Sequence, residues 1–211
     1  LEILGTMMKI GRRGSMNMKL GVSGTQGHSA YPHLADNPIP HMVKMLAALC
    51  DEPLDQGSDH FQPSTLTVTS VDVGNTATNV IPSDITAAFN IRFNDLHSGE
   101  SMEKLIRDRL DATGNSYTLS SKVSGTSFVS KPGKLTSVVA ASIKKITGLD
   151  PEASTTGGTS DARFIKDYCP VVEFGMISDS AHKTDENVNV ADIIALSDIY
   201  EAIISEYLME K

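Results

Sequence analysis

Tryptophan is absent from this 211-residue sequence, cysteine occurs only twice, and aromatic residues make up 5% of it. Cys50 and Cys169 lie far apart with no CxxC or CxxH spacing, which excludes a disulfide framework and a cysteine-built zinc site. Both read as ordinary half-buried thiols. No run of about 18 apolar residues is present to span a bilayer, and the opening LEILGTMMKIGRRGS lacks the apolar stretch of a signal peptide. A cytoplasmic protein with no membrane partner is therefore expected. Positive charge is also scarce: 18 Lys and Arg stand against 26 Asp and Glu, a net charge of −8. The deficit is steepest in residues 150–211, where four basic side chains face thirteen acidic ones. Because phosphate binding needs clustered Lys and Arg, nucleic acid is not an expected partner. The exception is the first twenty residues, where Lys9, Arg12, Arg13 and Lys19 outnumber Glu2 and suit a small anionic ligand. With 40% hydrophobic residues the chain can bury a core, which excludes general disorder. It opens on Leu1 rather than methionine, and residues ahead of that position are expected in the parent protein.

Hydrophobic periodicity divides what is present into two textures. Residues 15–26 alternate Met16, Met18, Leu20 and Val22, the period of a strand. After the loop YPHLADNP, residues 39–50 space Ile39, Met42, Val43, Leu46 and Leu49 as a helix does. The β-branched run TLTVTSVDVG follows, then residues 83–93, where Ile85, Ala87, Phe89, Ile91 and Phe93 share one face and Asn90 and Arg92 the other. A helix near residues 101–112, closed by Gly114, and the strand NSYTLSSKV complete a βαββαβ order. That order predicts a ferredoxin-like split βαβ sandwich, two helices on one face of an antiparallel sheet, over residues 14–122. Residues 1–13 then end a preceding segment. Residues 123–211 change to α/β texture: a helix near 135–146, the small-residue loop TTGGTSDARF, a buried-strand run CPVVEFG and a long final helix. In that helix Asn189 and Asp192 form a cap, and Ile193, Leu196, Tyr200, Ile203 and Tyr207 recur on one face. Under ninety residues with one clear interior strand read as the back half of an α/β domain, so the class is α/β overall (α+β in segregation).

Several residues carry chemistry, each with a bland alternative. The six histidines form no HxH, HxxxH or HExxH pair, so spacing alone supports no metal site. His28, in GHSAYPH, is either a hydrogen-bonded loop residue or a functional imidazole. His182 follows the strand VVEFG, and ligands collect at strand ends in α/β sheets. Asp185 and Glu186 behind it either orient its ring or make a solvated acidic loop. TTGGTSDARF offers backbone N–H groups to an anion, or only a tight turn. Asn79 is a turn residue or a ligand contact. Arg92 is a surface cation or a planar fork for a carboxylate, and KIGRRGS shares that ambiguity. Nothing matches a P-loop, a dinucleotide fingerprint or a GxSxG elbow.

Taken together, KIGRRGS, GTQGHSAYPHLADNP, TATNVIP, FNIRF, TTGGTSDARF and HKTDENVNVADI resemble, in order and along nearly the whole chain, the succinyl-diaminopimelate desuccinylase family of the M20-type dinuclear zinc hydrolases. The resemblance implies a two-zinc catalytic domain, with cobalt as a possible substitute, interrupted by a ferredoxin-like lid that makes a homodimer. It implies hydrolysis of a small dicarboxylate amide, N-succinyl-LL-2,6-diaminopimelate, in lysine and diaminopimelate biosynthesis. His182 would be a terminal zinc ligand. His28 would act catalytically, reaching into the partner's site to stabilise the oxyanion. Lys9, Arg12, Tyr31, Asn79, Arg92, Ser124, Gly158 and Thr159 match positions that hold substrate. The family's HxD element, bridging aspartate and Glu-Glu pair are absent from this sequence. The expectation is thus the C-terminal portion of such an enzyme, inactive alone and binding zinc weakly at His182 or not at all. Two alternatives stay open: a dimerisation or binding module without catalysis, and another M20-type deacylase or carboxypeptidase.

Overall fold

The computed structural model describes residues 4–176 and 179–209. The chain forms two compact units: Arg13–Ser127 is one, and the segment ending at Arg12 joins the segment starting at Phe128 in the other. In chain order, β1 (Met7–Lys9) and β2 (Gly11–Arg12) belong to the split unit. The continuous unit holds β3 (Gly14–Ser23), β4 (Gly27–His28), α1 (Pro38–Cys50), β5 (Thr65–Asp72), β6 (Val80–Ile81), β7 (Asp84–Phe93), α2 (Gly99–Asp111) and β8 (Thr118–Gly125). The chain then returns to the split unit through β9 (Phe128–Val129), α3 (Lys134–Thr147), β10 (Glu152–Ser154), α4 (Ala162–Ile165) and α5 (Val190–Met209).

The continuous unit is a four-stranded antiparallel sheet of order β5-β7-β3-β8. With one helix after its first strand and one after its third, this is the ferredoxin-like arrangement. Strand alternation decides which face is covered. Met16, Met18, Leu20 and Val22 of β3 and Ile85, Phe89, Ile91 and Phe93 of β7 are buried against Met42, Met45 and Leu49 of α1 and Met102, Ile106 and Leu110 of α2. Each such side chain contributes about 1.5–3 kcal/mol on burial. The opposite parity puts Ser15 opposite Arg92 and Asn17 opposite Asn90, a polar face turned away from both helices. Asn37 starts α1 by accepting the N–H of Ile39 at 3.1 Å, with Pro38 next in line, and Ser98 and Ser101 cap α2 reciprocally. The compact unit extends to Ser127, past the expected boundary at 122, because β8 continues to Gly125 and Ser127 Oγ donates to the Asn94 carbonyl at 3.2 Å.

In the split unit, β1 pairs with β10 in parallel and β2 with β9 antiparallel, while α3 and α5 close over Leu4, Met8, Val139, Ile143 and Ile199. Three expectations need correction. CPVVEFG does not form a buried strand: among the described residues it makes one antiparallel bridge, Glu173 with Lys9. A buried strand requires partners along both edges, and here only one residue finds one. The packed stripe of α5 is Ala195, Leu196, Ile199 and Ile203, with Ile193 and Tyr200 49% and 42% exposed. That helix is apolar on more than one side, so periodicity admits two stripes and contact with α3 selects one. Cys50 and Cys169 are exposed rather than half-buried.

Candidate functional site

The split unit contains a cleft of about 630 Å³ whose wall includes Lys9, Arg12, Thr156, Gly157, Gly158 and Glu173. Lys9 ends β1, and its Nζ donates to Thr156 Oγ1 at 2.6 Å and Ser154 Oγ at 3.3 Å. Arg12 ends β2; its Nε donates to Glu173 Oε2 at 2.6 Å and its Nη1 to the Thr156 carbonyl at 3.2 Å. Both side chains of that pair are largely sheltered, 16% and 26% exposed. Backbone pairing fixes the acid: Lys9 N donates to Glu173 O at 2.8 Å, and Glu173 N to Lys9 O at 2.9 Å. Gly157 adopts φ +100°, and a Cβ there would lie 2.7 Å from Arg12 Nη1. Only glycine allows the loop to close on the guanidinium in this way. Gly158 has open space where a Cβ would be. The cleft is thus a cationic floor with hydroxyl and backbone groups around it, chemistry suited to a carboxylate.

Of the residues expected to bind substrate, Lys9, Arg12 and Gly158 line this cleft, whereas Thr159 lines an adjoining hollow with Ser160, Asp161 and Arg163. Ser160 Oγ and Arg163 Nε are buried there without hydrogen-bond partners. Glu173, which borders both hollows, and Thr156 escaped the expectation. Glu173 sits in an apolar run that reads as core, and Thr156 only becomes informative once the loop is folded over Lys9.

His28, Tyr31 and Asn79 come together on the continuous unit. His28 pairs with Val80 across β4 and β6, and Ser29 N donates to the Asn79 carbonyl at 3.0 Å. Tyr31 N donates to the His28 carbonyl at 2.8 Å, and the two rings meet edge to face with centroids 5.7 Å apart. Ala30 N donates to His28 Nδ1 at 3.0 Å. A neutral imidazole that accepts at Nδ1 carries its proton on Nε2, so His28 presents a donor to solvent. His28, Tyr31 and Asn79 are all exposed.

Arg92 and Ser124 lie on the polar face of the sheet. Asn90 Nδ2 donates to Asn17 Oδ1 at 2.8 Å, and Asn17 Nδ2 to Ser124 Oγ at 3.3 Å, a ladder across β7, β3 and β8. Arg92 Nη1 is buried with no hydrogen-bond partner. Arg13, whose Nη1 reaches Thr65 Oγ1 at 3.5 Å, has its pKa held below the usual arginine range by burial first and by the charge of Arg92 second. Two like charges and an unsatisfied donor make this face receptive to an anion. Arg13 belongs to the basic start that the sequence suits to a small anion, but it is not among the residues that the resemblance matches to substrate positions.

His182 adopts a left-handed backbone, φ 61°, as does Asp185. Glu186 Oε2 accepts from the His182 backbone N–H at 3.4 Å. Among the described residues, no three or more His, Cys, Asp or Glu side chains are grouped to hold a metal ion. The described residues therefore do not by themselves offer a donor set that fits a zinc pair. No described helix is long and apolar enough to cross a membrane.

Comparison with known proteins places these features in context. Residues 10–118 match the model of the M20 peptidase dimerisation domain. A succinyl-diaminopimelate desuccinylase of Rhodospirillum centenum is 56% identical over 204 residues, covering 97% of this chain and 53% of that protein. One of Parvibaculum lavamentivorans is 55% identical, covering 98% and 53%. The chain thus spans about half the length of the curated relatives it matches. Among solved structures, the aminopeptidase PepT of Bacillus cereus aligns with a TM-score of 0.77 at 19% identity, over 98% of this chain and 55% of that one. The M20 metallo-carboxypeptidase Sso-CP2 of Sulfolobus solfataricus aligns at 0.78 and 15%, over 95% and 60%. These last two show the α/β fold alone. With the domain match extending over just over half of its length, the chain belongs to the M20 peptidase dimerisation-domain family.

Proposed function

We propose that this chain is the C-terminal portion of a cytoplasmic, zinc-dependent succinyl-diaminopimelate desuccinylase of lysine biosynthesis, supplying a substrate-carboxylate subsite and a dimerising lid. The observation that carries this is the cleft in which Lys9, Arg12, Thr156 and Gly157 converge, in a chain 56% identical to a desuccinylase. A succinylated diamino acid bears several carboxylates and needs cationic forks with backbone donors, which is what that cleft provides. In the continuous unit Arg92, Ser124, Tyr31 and Asn79 are polar groups that the resemblance assigns to substrate, and in the split unit Gly158 lines the cleft with Arg12 while Thr159 lines the adjoining hollow.

Zinc would supply the activated water, and its ligands other than His182 have to come from outside this sequence, so the chain alone should be inactive. What its own residues do is bind, orient and donate. His28, with Nδ1 occupied by the Ala30 N–H, keeps Nε2–H available for an oxygen that gains negative charge in a partner subunit's reaction. An exposed imidazole whose Nε2 meets no acceptor among the described residues fits a role across a homodimer.

The test is complementation. The N-terminal half of the Rhodospirillum centenum relative, fused to this chain and loaded with zinc, should release succinate from N-succinyl-LL-2,6-diaminopimelate, while the chain alone should not. Failure of the fusion to turn over, with the fusion folded and dimeric by sedimentation, would favour a dimerisation module without catalysis. Turnover by the isolated chain would overturn the assignment of the metal ligands to another segment.

A further inference from the structure

Thr65 of β5, Arg92 of β7 and Ser15 of β3 are register partners and form one row across the sheet of the continuous unit. Side chains in register on neighbouring strands share a face, and this row lies on the polar one, away from the helices. Arg13, two residues before Ser15, reaches the same row, where its Nη1 donates to Thr65 Oγ1 at 3.5 Å. A contact at that outer limit commits little of the guanidinium. Arg92 commits nothing: among the described residues its side chain makes no hydrogen bond or ion pair, although Nη1 is buried. Both side chains are half-buried, and neither is paired with a carboxylate. The charge that bears on Arg13 is instead that of Arg92.

A buried N–H without an acceptor costs free energy, and two like charges held close in a half-buried setting add to that cost. One ligand relieves both. A carboxylate brings a negative charge and two acceptor oxygens, the group that a guanidinium fork matches. We infer that Arg13 is a second ligand-binding residue beside Arg92: the two arginines together hold one carboxylate on the polar face of the sheet. Arg13 is thereby added to a station that the resemblance gives to Arg92 alone, and its role rests on the substrate function proposed above for Arg92. Arg13 acts there through its charge, so lysine can replace it and glutamine cannot. A unit charge roughly 6 Å from the carboxylate, at an effective dielectric of about 40 for a half-exposed site, changes affinity about tenfold.

The experiment titrates the full chain with butyrate at neutral pH and low salt, following the Nε–H resonances of Arg13 and Arg92 and the amide of Thr65. The Gly157 and Gly158 amides report on the cleft of the other unit in the same titration. In the parent chain the Arg13 and Arg92 signals should move together with one dissociation constant, a result that needs no variant. Arg13→Gln should weaken binding read at Arg92 and Thr65 about tenfold, and Arg13→Lys by no more than about threefold, a rescue that a merely structural role would not give. If the glutamine form does not fold, the paired shift in the parent and the lysine variant carry the test. Separate dissociation constants for the two arginines, or an Arg13→Gln chain that binds as the parent does, would overturn the role of Arg13 while leaving Arg92 a substrate contact. A loss in Arg13→Lys as large as in Arg13→Gln would refute the action through charge. If butyrate moves the Gly157 and Gly158 amides but none of the three reporters on the sheet, the two-arginine site fails and the carboxylate subsite of the cleft stands. If it moves neither set, both fail.

Discussion

Substituting Gly157 by alanine tests whether the loop over Arg12 is built as described. The residue sits at φ +100°, where a non-glycine residue costs of order 1–3 kcal/mol. The added Cβ would also lie 2.7 Å from Arg12 Nη1. An arginine tip ordinarily yields, but this one is held by Glu173 at 2.6 Å and the Thr156 carbonyl at 3.2 Å. Releasing it sacrifices charge-assisted bonds that, at their partial exposure, contribute about 1 kcal/mol together. The expected loss is therefore about 2–4 kcal/mol, a fall in melting temperature of roughly 5–15 °C for a protein of this size. Gly158 is the internal control, because nothing lies within 4 Å of its would-be Cβ and its φ is not in the left-handed region. Gly158→Ala should stay within about 0.5 kcal/mol. Thermal unfolding by circular dichroism and a butyrate titration of both variants are the assays. Equal stability and equal binding in the two variants would refute the close approach of the loop to Arg12.

Three further outcomes are expected. Asp55, 8% exposed in its side chain, accepts from Gly57 N, Ser64 N and Asn94 Nδ2 at 2.8, 3.1 and 2.7 Å, so Asp55→Ala should cost about 2–4 kcal/mol in urea unfolding. Burial alone would raise the Asp55 pKa, but the hydrogen bonds from Ser64, Gly57 and Asn94 outweigh it and hold it low. Its contribution is therefore full above the unfolded carboxyl pKa, about 3.9, and lost as pH falls further through the folded value, so Asp55→Asn should flatten the acid limb of the stability curve. Arg109 of α2 donates to the carbonyls of Leu49 in the last turn of α1 and of Glu52 and Pro53 just beyond it, and Arg109→Ala should lower stability by about 1–3 kcal/mol, read from a melt of the full chain. In the zinc-loaded fusion, the proposed donor role of His28 predicts that His28→Ala lowers kcat more than it raises KM; a change confined to KM would refute that role.

How much of this was legible in the sequence depends on what each residue answers to. The alternation Ile85 to Phe93 identifies the buried face of β7 because one side of the sheet is covered and the period is two, so a single strand suffices. The Asn189 cap is equally local: its side chain accepts from Ala191 N at 3.0 Å. The stripe of α5 is not local. Ile193, Ile194 and Ile204 compete with Leu196, Ile199 and Ile203 for the core, and the choice is made by α3, far away in sequence. Glu173 is hidden for the same reason, since its partners are Arg12 and Lys9, some 160 residues earlier, and its neighbours in sequence are apolar. His28 was visible as a residue, but its tautomer follows from the Ala30 N–H, which only a folded turn defines.

The Arg12-Arg13 doublet shows how adjacent like charges acquire different functions. The unit boundary falls between them, so Arg12 ends β2 of the split unit and Arg13 opens the continuous one. Arg12 meets an acid: its charge is half spent on Glu173 before any ligand arrives, and its remaining N–H groups are aimed rather than merely attractive. Arg13 meets another arginine instead, and with Arg92 Nη1 buried and unpartnered that face carries an unfulfilled demand for negative charge. The two stations should therefore differ in salt response. Anion binding near Arg92, where Arg13 and Arg92 both attract the ligand, should weaken more steeply with ionic strength than binding at the cleft, where the Arg12 charge is already paired with Glu173. A chain with Arg92→Gln should keep the shallow component of salt dependence and lose the steep one, and loss of the shallow component instead would invert this assignment.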